Sequence, residues 1–384
     1  MKTNNPSPAP RGGGENGPSA LASSPSAGSP NAPASSPSGD LPSSASAAAR
    51  GVGVAALVVL LAALALVALA SLAIGSRVIP LPDVVSAIVA PQGDFASAIV
   101  SKRVPRTLFS LLAGAALGVS GLLMQAVTRN PIADPSILGV NSGAALFVVC
   151  GIAFLGITTS GQYVALAVAG AAVTAVLVYG VGSAGSGGAS PLKLALAGTA
   201  VSVALSSLVS VVMMPRTNVM DQFRFWQIGS VGGADMGAIM TFLPVFVIGV
   251  AVAVVMAPSL EVLALGDDAA VGLGARPGLI RLVSSAAAVL LCGAVTALAG
   301  PVGFIGLMVP HMVRMVWRTV GMRSVMLLSA LVGALLLTGS DVVGRVIGGT
   351  GEVEVGIVTA VIGAPVFIVV AIRASRASAL EGAK

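Results

Sequence analysis

The stretch Arg103–Ala144, RVPRTLFSLLAGAALGVSGLLMQAVTRNPIADPSILGVNSGA, decides the fold. Thr107 to Val127 carries no charged side chain, and about 20 residues of helix rising 1.5 Å each cover the roughly 30 Å of a bilayer's hydrocarbon layer. Gly114, Ala115, Ala116, Gly118, Ser120 and Gly121 are small enough to let helix backbones approach closely. Gln125, Asn130 and Pro131 at the end of this run are polar or helix-breaking, so they are expected to face protein or a water-filled cavity and not lipid. Asn141 and Ser142 are similar, or else cap the helix that follows.

Working outward, apolar runs recur at about 50–74, 107–127, 137–157, 163–182, 194–213, 237–256, 282–300, 302–320, 325–344 and 355–372. The chain is 56% hydrophobic and 9% charged, with a mean hydropathy of +0.99, against about 25% charged residues in a soluble domain. The sequence therefore predicts an all-α polytopic membrane protein of about ten transmembrane helices. Residues 1–49, rich in Ser, Pro, Ala and Gly, cannot bury enough apolar surface to fold and are expected to be a disordered cytoplasmic tail. The first apolar run starts too late and runs too long for a cleaved signal peptide. Residues 50–373 are then expected to form one ten-helix transmembrane domain and 374–384 a cytoplasmic C-terminal tail.

With the N-terminus inside, ten spans bring the C-terminus inside too. Eleven Lys and Arg then fall on the inner segments against seven outside, which favours that orientation. The same placement explains the net charge of +6 without a nucleic-acid partner. The string Gly293–Gly300, GAVTALAG, echoes Gly114–Gly121, GAALGVSG, as an internal repeat would.

Charge is nearly absent from the span interiors, whereas ion-coupled carriers place ionisable groups near the midplane. No Lys follows a Gly, so no P-loop exists and ATP must be hydrolysed elsewhere. No HExxH, Ser/His/Asp or paired-Asp constellation suggests catalysis in the membrane, Cys150 and Cys292 lie in apolar runs, and no catalytic residue, cofactor or metal is expected. His311, the only histidine, reads as a hydrogen-bonded structural residue. The segment Pro258–Arg281 is too polar to span; it reads as two short helices broken at Gly266, the second capped by Asp267 and ended by Gly274 and Pro277.

Four strings in order, Arg103–Ala144, Leu260–Gly274, Gly300–Arg314 (GPVGFIGLMVPHMVR), and Asp341 and Arg345 with Glu354–Pro365 (EVGIVTAVIGAP), resemble the FecCD-type permeases of ABC importers for iron-siderophores, haem and cobalamin. Departures are small: Ile132, Val302 and Val355 stand where Leu, Ile and Pro are usual. The resemblance implies a cobalamin-importer-like, type II importer permease fold with inverted repeats in a bacterial cell membrane. It implies a second permease subunit, identical or paralogous, a pair of ABC ATP-binding subunits, an extracytoplasmic substrate-binding (lipo)protein and an iron-chelate substrate, most often a ferric siderophore.

Carried over by motif, Leu260, Leu265, Gly266, Asp267, Ala270, Leu273 and Gly274 within a 257–281 coupling region would meet the ATPase. Arg103, Arg106 and Arg345 would dock acidic residues of the binding protein. Gly114, Gly118, Ser120, Gly121, Gln125, Asn130, Pro131, Asn141, Pro310, His311 and Arg314 are motif positions of pore or structural character. Haem or cobalamin transport, and a stand-alone secondary carrier, are the alternative readings.

Overall fold

A computed structural model describes residues 43–90, 93–184, 191–317 and 320–381. The chain divides after Gly51. Of the first unit only the helical start from Ser43 is described, inside the segment expected to be a tail, and residues 1–42 lie outside the described residues. The second unit, from Val52, holds the spans.

Among the described residues every regular element is helical. Seven helices are long and apolar enough to cross a membrane: α1 (Ser43–Ala73), α3 (Phe95–Thr128), α5 (Ser160–Ser183), α6 (Pro191–Met213), α8 (Met236–Ala264), α10 (Pro277–Ala299) and α12 (Met322–Gly348). Three shorter apolar elements complete the ten expected segments: α4 (Val140–Cys150) with its π-helical turn Gly151–Leu155, α11 (Ile305–Val316), and α13 (Val355–Glu381), apolar to Val369. The short helices α2 (Leu81–Val89) and α7 (Thr217–Ile228) were not expected from the apolar runs, since each is too short to register as a span. Helix α13 continues through most of the supposed C-terminal tail, whose last three residues lie outside the described ones.

The central helix is α3. Its first turn is set by Asp94, whose carboxylate accepts the Ser97 amide at 2.9 Å. It ends at Arg129, whose backbone turns left-handed at φ 49°. Its 34 residues rise about 51 Å, well beyond the hydrocarbon layer, so both ends project past it or the helix tilts. Helices α12, α10, α11 and α8 surround it. The glycines permit this: a Cβ at Gly114 or Gly118 would collide with the carbonyls of Gly333 or Ser329 on α12, and one at Gly121 with the backbone of Gly306 on α11.

The two echoing glycine strings lie on α3 and α10, the second and seventh apolar segments, and the short third and eighth segments follow them. That is the order a duplication of five segments produces.

The region read as two short helices is built differently. Helix α8 runs through Pro258 to Ala264, so the first of the two is the end of a span, and only α9 (Asp267–Gly272) is separate. The break is at Gly266, whose φ of 114° suits glycine, and Gly274 at φ 78° turns the chain towards Pro277, the first residue of α10.

Candidate functional site

Two polar clusters occupy opposite ends of α3, Arg106 and Arg129 being roughly 34 Å apart along its axis.

At one end three arginines converge. Arg103 is buried and donates to the carbonyls of Leu72 and Ala73 at 2.9 Å and of Arg77 at 2.6 Å. Arg345, only 2% exposed, donates to the carbonyls of Ser71 and Ile74 at 2.9 Å and to the Ser71 hydroxyl at 2.7 Å. Both guanidinium groups therefore serve the carbonyls at the end of α1, which have no partner within their own helix. Arg345 is also paired with Asp341, one turn back on α12, at 3.0 Å. Arg106 faces the same carboxylate with Nε at 3.0 Å and Nη2 at 2.7 Å, and its Nη1 reaches Glu352 Oε2 at 2.8 Å.

Of the three arginines expected to dock a partner, two have their guanidinium groups engaged within the chain at the end of α1. Arg103 and Arg345 are turned inward because helix-end carbonyls in a water-poor place must find donors. Of the three, Arg106 alone is paired with a partly exposed carboxylate, that of Glu352. Asp341 could have been found from its i,i+4 spacing to Arg345; Glu352 gave no signal, since its partner is 246 residues away in sequence.

At the other end, the residues expected to couple to an ATPase divide into three kinds. Leu260 and Ala270 are fully buried and bind the segment to the body, as does Leu263. Gly266 and Gly274 set its shape. Leu265 and Leu273, with Val271, expose more than half of their surface and form an apolar face at the tip. Asp267 does not cap α9: it is the first helical residue, and its carboxylate accepts from Arg281 Nη2 at 2.8 and 2.9 Å and also from Arg129. Burial, the largest single influence, pushes the Asp267 carboxyl up, but the hydrogen bonds and charges of Arg281 and then Arg129 outweigh it and hold the group below its usual range.

Arg129 also donates to the Leu263 carbonyl, and Glu261 accepts the Met322 amide at the start of α12 at 2.6 Å. The segment is thus fastened to α3, α10 and α12 together. Arg129 and Arg281 entered the sequence reading only as inner charges.

The remaining motif positions are mostly packing and fastening points. Ser120, fully buried, donates to the Ala288 carbonyl on α10 at 2.6 Å. Gln125, 2% exposed, donates to the Leu307 carbonyl on α11 at 3.0 Å and accepts weakly from Arg314 at 3.5 Å. Arg314 occupies the last turn of α11; Pro310 lies buried within that helix and His311 is half-buried on it. Asn141 does not cap α4, whose N-cap is Gly139; its side-chain oxygen accepts from Thr296 on α10 at 3.0 Å. Asn130 is exposed and accepts the Ile132 amide at 3.1 Å, with Pro131 exposed beside it. Gly114, Gly118 and Gly121 pack helix on helix, against the backbones of Gly333, Ser329 and Gly306.

Two hollows remain. One of about 540 Å³ between α5 and α10 is walled almost wholly by aliphatic side chains and offers little to a polar ligand. The other, about 350 Å³, lies along α6 and is lined by Ser202, Val203, Ser206, Ser207 and Ser210. Ser207 and Ser210 turn their hydroxyls to the carbonyls one turn back, which lets a largely exposed span carry a hydroxyl face.

Residues 61–373 match the model of the FecCD transport family. The ferric enterobactin transport system permease protein FepD of Escherichia coli is 41% identical over 80% of this chain and 92% of its own length. The Fe(3+)-citrate import system permease protein YfmD of Bacillus subtilis is 41% identical over 78% and 89%. Among solved structures, an inward-facing conformation of a metal-chelate type ABC transporter superposes with a TM-score of 0.72 at 28% identity, covering 82% of this chain and 98% of that one.

Proposed function

The chain belongs to the FecCD transport family, and from that premise we propose that it is the permease subunit of an ATP-driven importer of ferric chelates, most specifically of a ferric siderophore. It is a multi-pass membrane transport subunit. ATP is hydrolysed by separate ATP-binding subunits on the inner side, where both chain termini also lie. A second permease subunit completes the path, and an extracytoplasmic binding protein delivers the cargo.

The observation that carries this reading is α9. This six-residue helix, flanked by an apolar tip of Leu265, Val271 and Leu273, is held through Asp267 to Arg281 of α10 and to Arg129 at the end of α3. Such a projection has little purpose in a lone carrier. It suits a rigid-body switch, in which movement of a docked partner changes which end of the bundle is open.

The hydroxyl face of α6 supports a path between two permease subunits, because serines spaced along an exposed span are better placed against a polar passage than against acyl chains. The relatives' ferric enterobactin and ferric citrate cargoes support the substrate class. Arg106 is the arginine we assign to meet a carboxylate of the binding protein on the outer face, a reading supported by the partial exposure of its partner Glu352.

The test is reconstitution with the ATP-binding subunits, the second permease and the binding protein. ATP-dependent uptake of ferric siderophore is expected, and deletion of Gly266–Gly274 should abolish it. Accumulation without any ATPase would instead establish a stand-alone carrier. Uptake of haem or cobalamin, with none of ferric siderophore, would move the substrate assignment.

A further inference from the structure

We propose that Glu352 is an internal stand-in for the carboxylate of a docking partner, occupying the outward half of Arg106 until that partner replaces it. The proposal rests on the reading of Arg106 as a docking residue and adds what must be displaced.

The guanidinium of Arg106 is divided between two acids of different character. Its Nε and Nη2 face Asp341, which is 2% exposed and shared with Arg345 on α12. A group so enclosed and doubly paired is a permanent partner. Nη1 points the other way, to Glu352, whose side chain is 40% exposed. A carboxylate arriving from solution can reach only that half.

Glu352 is also carried on chain suited to release. It lies between the single turn Gly349–Gly351 and the first residue of α13, in a run containing Gly348, Gly349 and Gly351. Its own φ of 20° lies at the edge of the left-handed region, which non-glycine residues seldom adopt. No regular helical hydrogen bonding has to break for the side chain to leave.

Docking then exchanges one ion pair for another. The affinity gained is the difference between the two pairs. In the undocked state this half of the partly buried cation is neutralised, so stray anions gain little by binding there.

The experiment uses the whole importer in nanodiscs and the binding protein that sustains uptake in the reconstituted system. Its dissociation constant is measured for the wild type, Glu352→Gln, Arg106→Gln and the double variant, at low and high salt. Glu352→Gln is expected to bind about two- to five-fold tighter at low salt, the equivalent of one partly exposed ion pair, with the gain fading at high salt. Arg106→Gln should weaken binding, and adding Glu352→Gln to it should restore nothing.

If Arg106→Gln weakens docking while Glu352→Gln leaves it unchanged or weaker, the stand-in proposal is overturned and the docking role survives. A gain from Glu352→Gln that persists in the Arg106→Gln background overturns it as well, since Glu352 would then act without Arg106. Unchanged affinity in Arg106→Gln removes the docking reading itself.

Discussion

The carboxylate of Asp267 on α9 meets one guanidinium nitrogen of Arg281 on α10 through both of its oxygens, at 2.8 and 2.9 Å. The same carboxylate takes Arg129 from the end of α3. One exposed acid therefore joins the projecting helix to two helices of the bundle.

Replacing Asp267 by Asn keeps the volume and removes the charge that both arginines answer. Uptake per ATP hydrolysed is expected to fall roughly tenfold, the size of a typical coupling energy, while the ATP-binding subunits still copurify. Parallel loss of assembly and uptake, with an unchanged ratio, would make Asp267 a folding residue only.

The acid dependence of this joint has a definite direction. Because the Asp267 carboxyl is held below its unfolded value by Arg281 and Arg129, its contribution is complete above about pH 5 and is lost as pH falls through the lowered value. The difference in thermal stability between wild type and Asp267→Asn should thus be flat from about pH 5 to 8 and shrink below about pH 4. A difference that grows on acidification would contradict the assignment. Nearly half of the side chain is exposed, so the difference will be small.

Gly121→Ala tests the close packing of α3 on α11. The added Cβ meets the backbone of Gly306, which cannot move aside as a flexible side chain would. A loss of about 1–3 kcal/mol is expected, read as lowered thermal stability in detergent; a stability equal to wild type would mean that the two helices can separate at little cost.

Arg345→Met and Glu352→Gln should differ sharply although each removes an ion-pair partner in the same cluster. The first leaves a buried Asp341 half-neutralised and the Ser71 and Ile74 carbonyls without a donor, at about 3–5 kcal/mol. The second removes a bond to a partly exposed group, worth less than about 1 kcal/mol. Unfolding monitored side by side would show the ranking, and equal losses would refute the distinction.

The apolar segments were legible because length and lack of charge suffice to recognise them, and Gly266 and Gly274 because few other residues take those turns. Helix α8 was cut short in the sequence reading because the stretch from Pro258 to Arg281 is too polar to span. In the structure that proline is accommodated inside the helix. The arginines were legible as to end and not as to depth. Arg106 meets Asp341 across 235 residues of sequence, and Arg103 and Arg345 turn inward because the last carbonyls of α1 lack partners within their own helix. Nothing in the local sequence near Ser71 announces that need.

That arrangement at the end of α1 imposes an order on synthesis. The first span emerges early, but its final turn is completed in two instalments. Arg103 arrives with the next long helix to claim the Leu72, Ala73 and Arg77 carbonyls, whereas Arg345, 271 residues beyond Ile74, comes only when α12 has been made. Until then the carbonyls of Ser71 and Ile74 wait for their donor, and a chain interrupted before α12 carries the mark of its incompleteness on α1.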